Sequence, residues 1–342
     1  MKLHWIITAA ICAAAMPAKA EETVSYASYG GAYQEGVRKA ILDHLPADHQ
    51  MKVVDYVLSG GIRDIRTKVK ANAVDIDVAE LYGGLCDTAV NEDLIIPLDY
   101  SKIPNAAGIP ENLRKSHWIG FTAYSTVLAY NKDVYGDNPP KNWADFFDVE
   151  KFPGTRSIGG ATPQTVSEIA MLADGVPKDK VYPLDIDKAL KKWSDFKDNI
   201  AVRWTTGAQA TQLATSQEVD MIAIWAARID AAIKDGAPYA YTLNDAVMDV
   251  ECLVVPKNSP NPEGAMRLIN HLLDPKYQAN LPDYIPYGPM NQDAFKQGLI
   301  SPEKAAKIVT STENLSKQVI TDMSFWAEHI NDAQIKWDAA MQ

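Results

Sequence analysis

Apolar positions recur with two different periods along this chain, and their alternation predicts strand–helix–strand units. Residues 23–28 read as a strand that runs into the glycine turn Gly30-Gly31. A helix follows, because Val37, Ala40, Ile41 and Leu45 recur at spacings of three and four and share one face. A second strand over 52–58 ends at Ser59-Gly60-Gly61, and the next helix carries Ile62, Ile65 and Val69 on one stripe. A third strand over 76–79 ends at Glu80-Leu81-Tyr82-Gly83-Gly84. This βαβαβ order implies a parallel sheet covered by helices. Ligands bind such sheets beyond the carboxyl ends of the strands. Candidate positions are therefore residues 29–33, 59–61 and 80–83.

A long strand over 123–131 reads as a crossover into a second lobe. There, Gly159-Gly160-Ala161-Thr162-Pro163 predicts a helix start, with Thr162 as N-cap and Pro163 at the first helical position. Residues 202–207 form another strand-to-helix junction, and 221–225 a further strand leading into a helix. The chain then returns through a strand over 250–256. Asp249 and Glu251 stand at the mouth of that strand, just before the apolar Leu253-Val254-Val255-Pro256. Carboxylates entering a buried strand are costly unless a cation or hydrogen-bond donor meets them. At the C-terminus, Trp326, Ile330, Ala333 and Trp337 fall on one helical stripe. The expected architecture is α/β: two lobes joined by two hinge crossover strands, with a cleft between them. Lobe 1 comprises 21–126 and 250–291, and lobe 2 comprises 127–249 and 292–342.

Composition adds a compartment. Lys2 and His4 precede the apolar run 5–16, and Ala18-Lys19-Ala20 supplies a small-x-small cleavage pattern, so residues 1–20 read as a secretory signal peptide. The run is too short to span a bilayer. Cleavage near Ala20 removes Lys2 and Lys19 and moves the formal charge from −11 to −13. An acidic exported protein without basic clusters is poorly suited to nucleic acid or an anionic membrane. Two cysteines then remain, Cys86 and Cys252. An oxidising compartment permits a bridge between them, but spacing alone does not bring their Cα atoms within reach. Two buried free thiols are the expectation, with a bridge as the alternative.

Enzyme signatures are absent. The chain has no G-x-S-x-G, phosphate loop, H-E-x-x-H or C-x-x-C, and its six histidines have no metal-ligand spacing. No catalytic residue, cofactor or metal is expected. Asn314-Leu315-Ser316 matches a glycosylation sequon, a pattern short enough to arise by chance.

The ordered series of motifs resembles the periplasmic solute-binding proteins of ABC importers, in the spermidine/putrescine-binding group. The motifs are Tyr29-Gly30-Gly31-Ala32-Tyr33, Asn142-Trp143-Ala144-Asp145-Phe146, Lys151-Phe152-Pro153-Gly154, Leu253-Val254-Val255-Pro256-Lys257, Asn261-Pro262-Glu263-Gly264-Ala265 and Tyr287-Gly288-Pro289-Met290-Asn291. The resemblance implies a two-lobed, type II-like periplasmic binding fold that closes on a small-molecule amine and delivers it to membrane permease subunits. It also implies a periplasmic protein; a monomer is expected. Trp225 matches the family's ligand-stacking tryptophan. Tyr33 and Tyr82 fall where the family places aromatic contacts, and Glu251 stands where it carries an amine-binding aspartate. Asp249 departs from the pattern, since polyamine binders carry an aromatic residue there. Tyr29, Gly30, Gly31, Glu80 and Tyr287 complete the candidate set on the first-lobe side.

Arg228 is the second departure. One alternative is an internal salt bridge to Asp230, Asp249 or Glu251. The other is a ligand carboxylate, which a guanidinium fork suits. An ω-amino acid such as 4-aminobutyrate would satisfy both ends, with its carboxylate at Arg228 and its ammonium at Glu251 or Glu80. Thr205, Thr206 and Gln209 either add hydrogen bonds or cap the helix that begins near Gly207. Two other readings stand beside the amine: the same fold binding an opine-like compound or a metal chelate, and a secreted enzyme on a two-lobed scaffold.

Overall fold

The computed structural model describes residues 22–46 and 51–342; the leader expected over 1–20 lies outside them. Ten strands form one sheet: β1 (Glu22–Ser28), β2 (Met51–Val57), β3 (Val78–Tyr82), β4 (Trp118–Asn131), β5 (Arg156–Gly159), β6 (Ile200–Trp204), β7 (Met221–Trp225), β8 (Tyr239–Val254), β9 (Gly288–Pro289) and β10 (Val319–Ile320). Their order is β2-β1-β3-β8-β4-β7-β5-β6, with β10 beside β8 and β9 beside β4. On one flank β1 is parallel to β2 and β3, and on the other β5 is parallel to β6 and β7. Between them β4 and β8 run antiparallel.

These two strands are 14 and 16 residues long, more than twice the ordinary five or so. That length lets each serve both flanks. The C-terminal end of β8 pairs with β3, while residues 126–130 of β4 pair with β7. They are the expected crossovers, but each begins earlier than its pattern indicates. The polar run Thr242-Leu243-Asn244-Asp245 disguises the first part of β8. Asp249 and Glu251 consequently lie inside a strand, not at its mouth, and both are buried.

Two further expectations are corrected. Cys86 and Cys252 form a disulfide. Leu81 lies opposite Cys252 across the β3–β8 pair, and the helix Leu85–Asn91 starts a few residues later. That return brings the two Cα atoms to 6.4 Å, within disulfide reach. The helix expected to start at Pro163 starts instead at Val166, with Thr165 before it at φ 71°. Thr162 Oγ1 accepts the Gln164 N–H at 3.3 Å and turns the chain ahead of the helix. The side chains of Gln164 and Thr165 are then committed to Asp249, as described below.

Apolar packing follows the two flanks. One cluster fills the first-flank layers around Val24, Val37, Ile65 and Leu268 and continues along the crossovers. A second gathers Trp143, Phe146, Trp193, Trp326 and Trp337 under the C-terminal helix Met323–Ala340. Residues after 291 stay with the first flank before reaching that helix: the Gln292 N–H donates to Gly108 O, and Lys304 pairs with Asp283. Asn314 is buried, and its amide nitrogen donates to Ala306 O and Ile308 O, so the sequon is inaccessible. Among the described residues no helix is long and apolar enough to cross a membrane.

Candidate functional site

Strand register assembles the site. Tyr82 of β3, Glu251 of β8 and Thr122 of β4 form one row across the sheet, Asp249 and Tyr124 the next, and Thr126 and Trp225 a third. Side chains alternate faces along a strand, so these rows, with Glu80, share one face where the flanks meet. The face holds three buried carboxylates, Glu80, Asp249 and Glu251.

Each carboxylate is bonded differently. Glu80 is saturated: its Oε2 accepts from Tyr26 at 2.5 Å and Ser28 at 2.8 Å, and its Oε1 from Tyr33 at 2.5 Å. The Tyr33 hydroxyl also lies 3.0 Å from Thr122 Oγ1. Asp249 accepts from Gln164 Nε2 at 2.8 Å and from Thr165 Oγ1 at 3.3 Å, one bond to each oxygen. Glu251 Oε2 accepts from Tyr29 at 2.6 Å, whereas its Oε1 has no hydrogen-bond partner among the described residues. None of the three is held by a basic side chain among the described residues.

Burial pushes all three carboxyls above their ordinary range. Glu251 is pushed furthest, because Glu80 and Asp249 add their negative charge while only Tyr29 opposes. Glu80 is partly relieved by its three hydroxyl donors. Burial raises the Tyr29, Tyr33 and Tyr124 phenols too, and the carboxylates add to it, so these groups remain donors. Like charges confined in a dry site do not all ionise unless a proton or another cation enters.

Aromatic rings connect the two flanks. Centroid separations run Tyr82–Tyr29 6.3 Å, Tyr29–Tyr33 5.7 Å, Tyr33–Tyr287 5.0 Å, Tyr287–Tyr124 5.5 Å, Tyr124–Trp225 5.8 Å and Trp225–Trp204 5.3 Å. Most of these contacts are edge-on, and the Tyr29 hydroxyl among them reaches Glu251. Gly30 and Gly31 serve through their backbone, at φ 72° and 56°, where the chain turns between Tyr29 and Tyr33.

The second flank contributes a cation. Arg228 lies in the helix Ala226–Lys234, directly after Trp225, and is exposed. It forms no salt bridge to Asp230, Asp249 or Glu251, one of the two alternatives for it; Asp230 is met by Tyr241 instead. Its charge acts on the Tyr287 hydroxyl, drawing it down against the upward push of burial. Thr205 and Thr206 are exposed at the start of the helix Gly207–Thr215. Thr206 Oγ1 caps the Gln209 N–H at 3.2 Å, and Gln209 Oε1 accepts the Thr205 N–H at 2.9 Å. Gly60 N–H is bonded locally to Asp64, and the 59–61 turn adds nothing to this cluster. Among the described residues no group of three or more His, Cys, Asp or Glu side chains is arranged to hold a metal ion.

Sequence reasoning brought the anchors together but missed Tyr26, Ser28, Thr122, Tyr124, Gln164 and Thr165. Tyr26 and Ser28 alternate along β1, and Thr122, Tyr124 and Thr126 along β4, so period-two reading had a signal for them. Gln164 and Thr165 had none, because their partner is more than 80 residues away.

Known proteins align with nearly the whole chain. A family model described as bacterial extracellular solute-binding protein matches residues 47–309. The gamma-aminobutyric acid-binding protein of Pseudomonas aeruginosa is 27% identical over 323 residues, covering 93% of this chain and 90% of that one. Among solved structures, an ABC transporter substrate-binding protein from Bradyrhizobium japonicum USDA 110 is 38% identical with a TM-score of 0.87. It covers 94% of this chain and 100% of its own. The PBP MotA from A. tumefaciens B6, solved in complex with glucopine, is 33% identical with a TM-score of 0.78, over 94% and 100% of the two chains.

Proposed function

The chain belongs to the bacterial extracellular solute-binding protein family, and we propose that the solute it captures for an ABC importer is a small amine that also carries an acid. The observation that carries this reading is Glu251: a buried carboxylate that, among the described residues, has one oxygen unpaired and no cation beside it, with aromatic rings nearby. A primary ammonium supplies the missing charge and the missing N–H donors, and ring faces stabilise its positive charge.

Arg228 selects among amines. A diamine would bring a second cation towards an unpaired guanidinium, whereas an ω-amino acid brings a carboxylate. With its ammonium at Glu251, a three-carbon chain beside Tyr124 and Trp225, and its carboxylate towards Arg228, 4-aminobutyrate matches the order of groups across the cleft. The relative from Pseudomonas aeruginosa, named for that compound, supports the same choice. Closure of the two flanks about β4 and β8 sequesters the ligand, and the closed form presents it to the permease. The reading assigns no catalysis to the site. It includes export through the leader over 1–20 with cleavage near Ala20, which the intact mass of the exported protein checks.

A second reading has one observation in its favour: the glucopine-bound relative makes an opine-like solute the competitor. Calorimetry against 4-aminobutyrate, putrescine, spermidine and glucopine decides. Micromolar or tighter binding of 4-aminobutyrate is expected. Binding of glucopine alone would replace the amine reading, and binding of none at millimolar concentration would end it.

A further inference from the structure

Gly207 is glycine without a backbone reason. It opens the helix Gly207–Thr215, its φ is not in the left-handed region, and alanine is the better helix former there. A glycine in an ordinary conformation marks a close approach by something else. Here the approach comes from two cleft side chains. A Cβ on Gly207 would lie 2.5 Å from Arg228 Nε, 3.1 Å from Arg228 Cζ and 2.9 Å from Trp225 Cζ3. Both contacts are shorter than a Cβ tolerates, so both side chains must give, Arg228 by more than Trp225.

The two neighbours differ in freedom. Trp225 is held edge-on between Tyr124 and Trp204, at 5.8 and 5.3 Å. Trp204 is itself buried and tied through Nε1 to Ala223 O at 3.0 Å. Its ring has little room to withdraw. Arg228 is exposed, ends in a flexible chain and has no ion-pair partner among the described residues. A methyl group at 207 therefore displaces the arginine, at the closer contact and with the freer chain, and asks a few tenths of an ångström of the tryptophan ring.

We infer that Gly207 is a specificity-determining position, whose missing side chain seats the Arg228 guanidinium at the helix start beside Trp225 and so decides whether the site accepts an acid at that end. The inference rests on the amine-plus-acid reading for its ligand, but the seating of Arg228 stands on its own geometry. With a side chain at 207, the same cleft keeps Glu251 and its aromatic surround and becomes a site for amines without a carboxylate.

Gly207→Ala tests it, using 4-aminobutyrate and 1,4-diaminobutane, which share a four-carbon chain and differ at one end. In Gly207→Ala, 4-aminobutyrate affinity should fall at least tenfold, while 1,4-diaminobutane affinity should hold or rise. Adding Arg228→Ala to Gly207→Ala should cost 4-aminobutyrate nothing more. Unchanged 4-aminobutyrate affinity would overturn the inference, as would equal loss of both ligands, since the latter means that the methyl group acts through the Trp225 ring and not through the guanidinium. Should the wild-type protein bind neither compound, the proposed function fails. A crystal structure of Gly207→Ala then decides the inference alone: Arg228 displaced with Trp225 in place upholds it, and Arg228 still against the helix start overturns it.

Discussion

Tyr29 donates its hydroxyl hydrogen to Glu251 Oε2 at 2.6 Å, across 222 residues of sequence. The contact joins the turn after β1 to the return crossover β8 and commits one carboxylate oxygen while the other stays open. The two residues should therefore fail differently. Glu251→Gln removes the charge an ammonium needs and should weaken 4-aminobutyrate by about 2–5 kcal/mol, as for a buried charge pair that loses one member. Tyr29→Phe removes a supporting hydrogen bond and should cost only about 0.5–1.5 kcal/mol. Calorimetry that finds the two variants equal would deny Glu251 the direct contact.

Proton exchange follows from the same carboxylates. Burial and the charge of Glu80 raise the Glu251 carboxyl well above its ordinary range, so the empty site holds a proton below that raised value. An ammonium stabilises the charged form and expels the proton. Affinity should accordingly fall as pH drops below the raised value, by up to about tenfold per pH unit for one proton. Binding enthalpies measured at one pH in phosphate and in Tris report the protons released. Net release is expected for the wild type and less for Glu80→Gln, which removes the repelling charge. Identical enthalpies in both buffers would rule the exchange out.

Legibility in the sequence divided along a physical line. Strands with a local signature were readable: β1, β2 and β7 carry apolar runs bounded by glycine or polar turns, and their observed limits fall within about two residues of expectation. The early part of β8 was not: residues 239–242 pair with β4, but 243–246 bulge out of that pairing, with Asp245 at φ 58°, and so read as a loop. The site followed the same rule. Tyr33, Glu80 and Glu251 stand at strand ends or beside a recognisable apolar run. Gln164 and Thr165 are defined by Asp249, a partner with no sequence proximity. The bridge between Cys86 and Cys252, 166 residues apart, depended on a strand register that composition does not encode.

That bridge should matter for stability. It closes a long loop and lies buried between β8 and the helix Leu85–Asn91. Loss of a native disulfide commonly costs about 2–5 kcal/mol. Cys86→Ser/Cys252→Ser should lower Tm clearly, and thiol reductant should lower the wild type towards the same value. A Tm unaffected by either would show that the link carries no stability.

Glu168, whose carboxyl also feels the charge of Asp249, should give stability its own pH dependence. Its Oε1 accepts from Trp326 Nε1 at 2.6 Å and from Tyr182, while its buried Oε2 has no partner. Burial raises its carboxyl from 4.5 to about 7. The folded value exceeds the unfolded one, so the folded state holds this proton more tightly. The contribution is complete below pH 4.5 and is lost as pH rises through about 7. At about 1.4 kcal/mol per unit it amounts to about 3 kcal/mol. Urea unfolding of the wild type between pH 4.5 and 8 should show that decline against Glu168→Gln, which stays neutral throughout. Parallel profiles would mean that Glu168 ionises normally.

Asp249 is the final case, because the structure gives it a different task from Glu251. Both of its oxygens are already occupied, by Gln164 and Thr165 of the turn before the helix Val166–Ala173. Thr165 holds φ 71°, an unfavourable conformation for a β-branched residue. The Gln164 amide also lies 3.4 Å from where a Cβ on Gly83 would stand, on the opposite flank. The turn therefore spans the cleft, fastened at Asp249. Gln164→Ala should loosen the closed form without touching the ammonium or carboxylate subsites. Stopped-flow measurements with 4-aminobutyrate should then show dissociation several-fold faster and association nearly unchanged, since a latch made after docking acts on escape. Faster association with unchanged dissociation would mean that the turn obstructs entry instead of retaining the ligand.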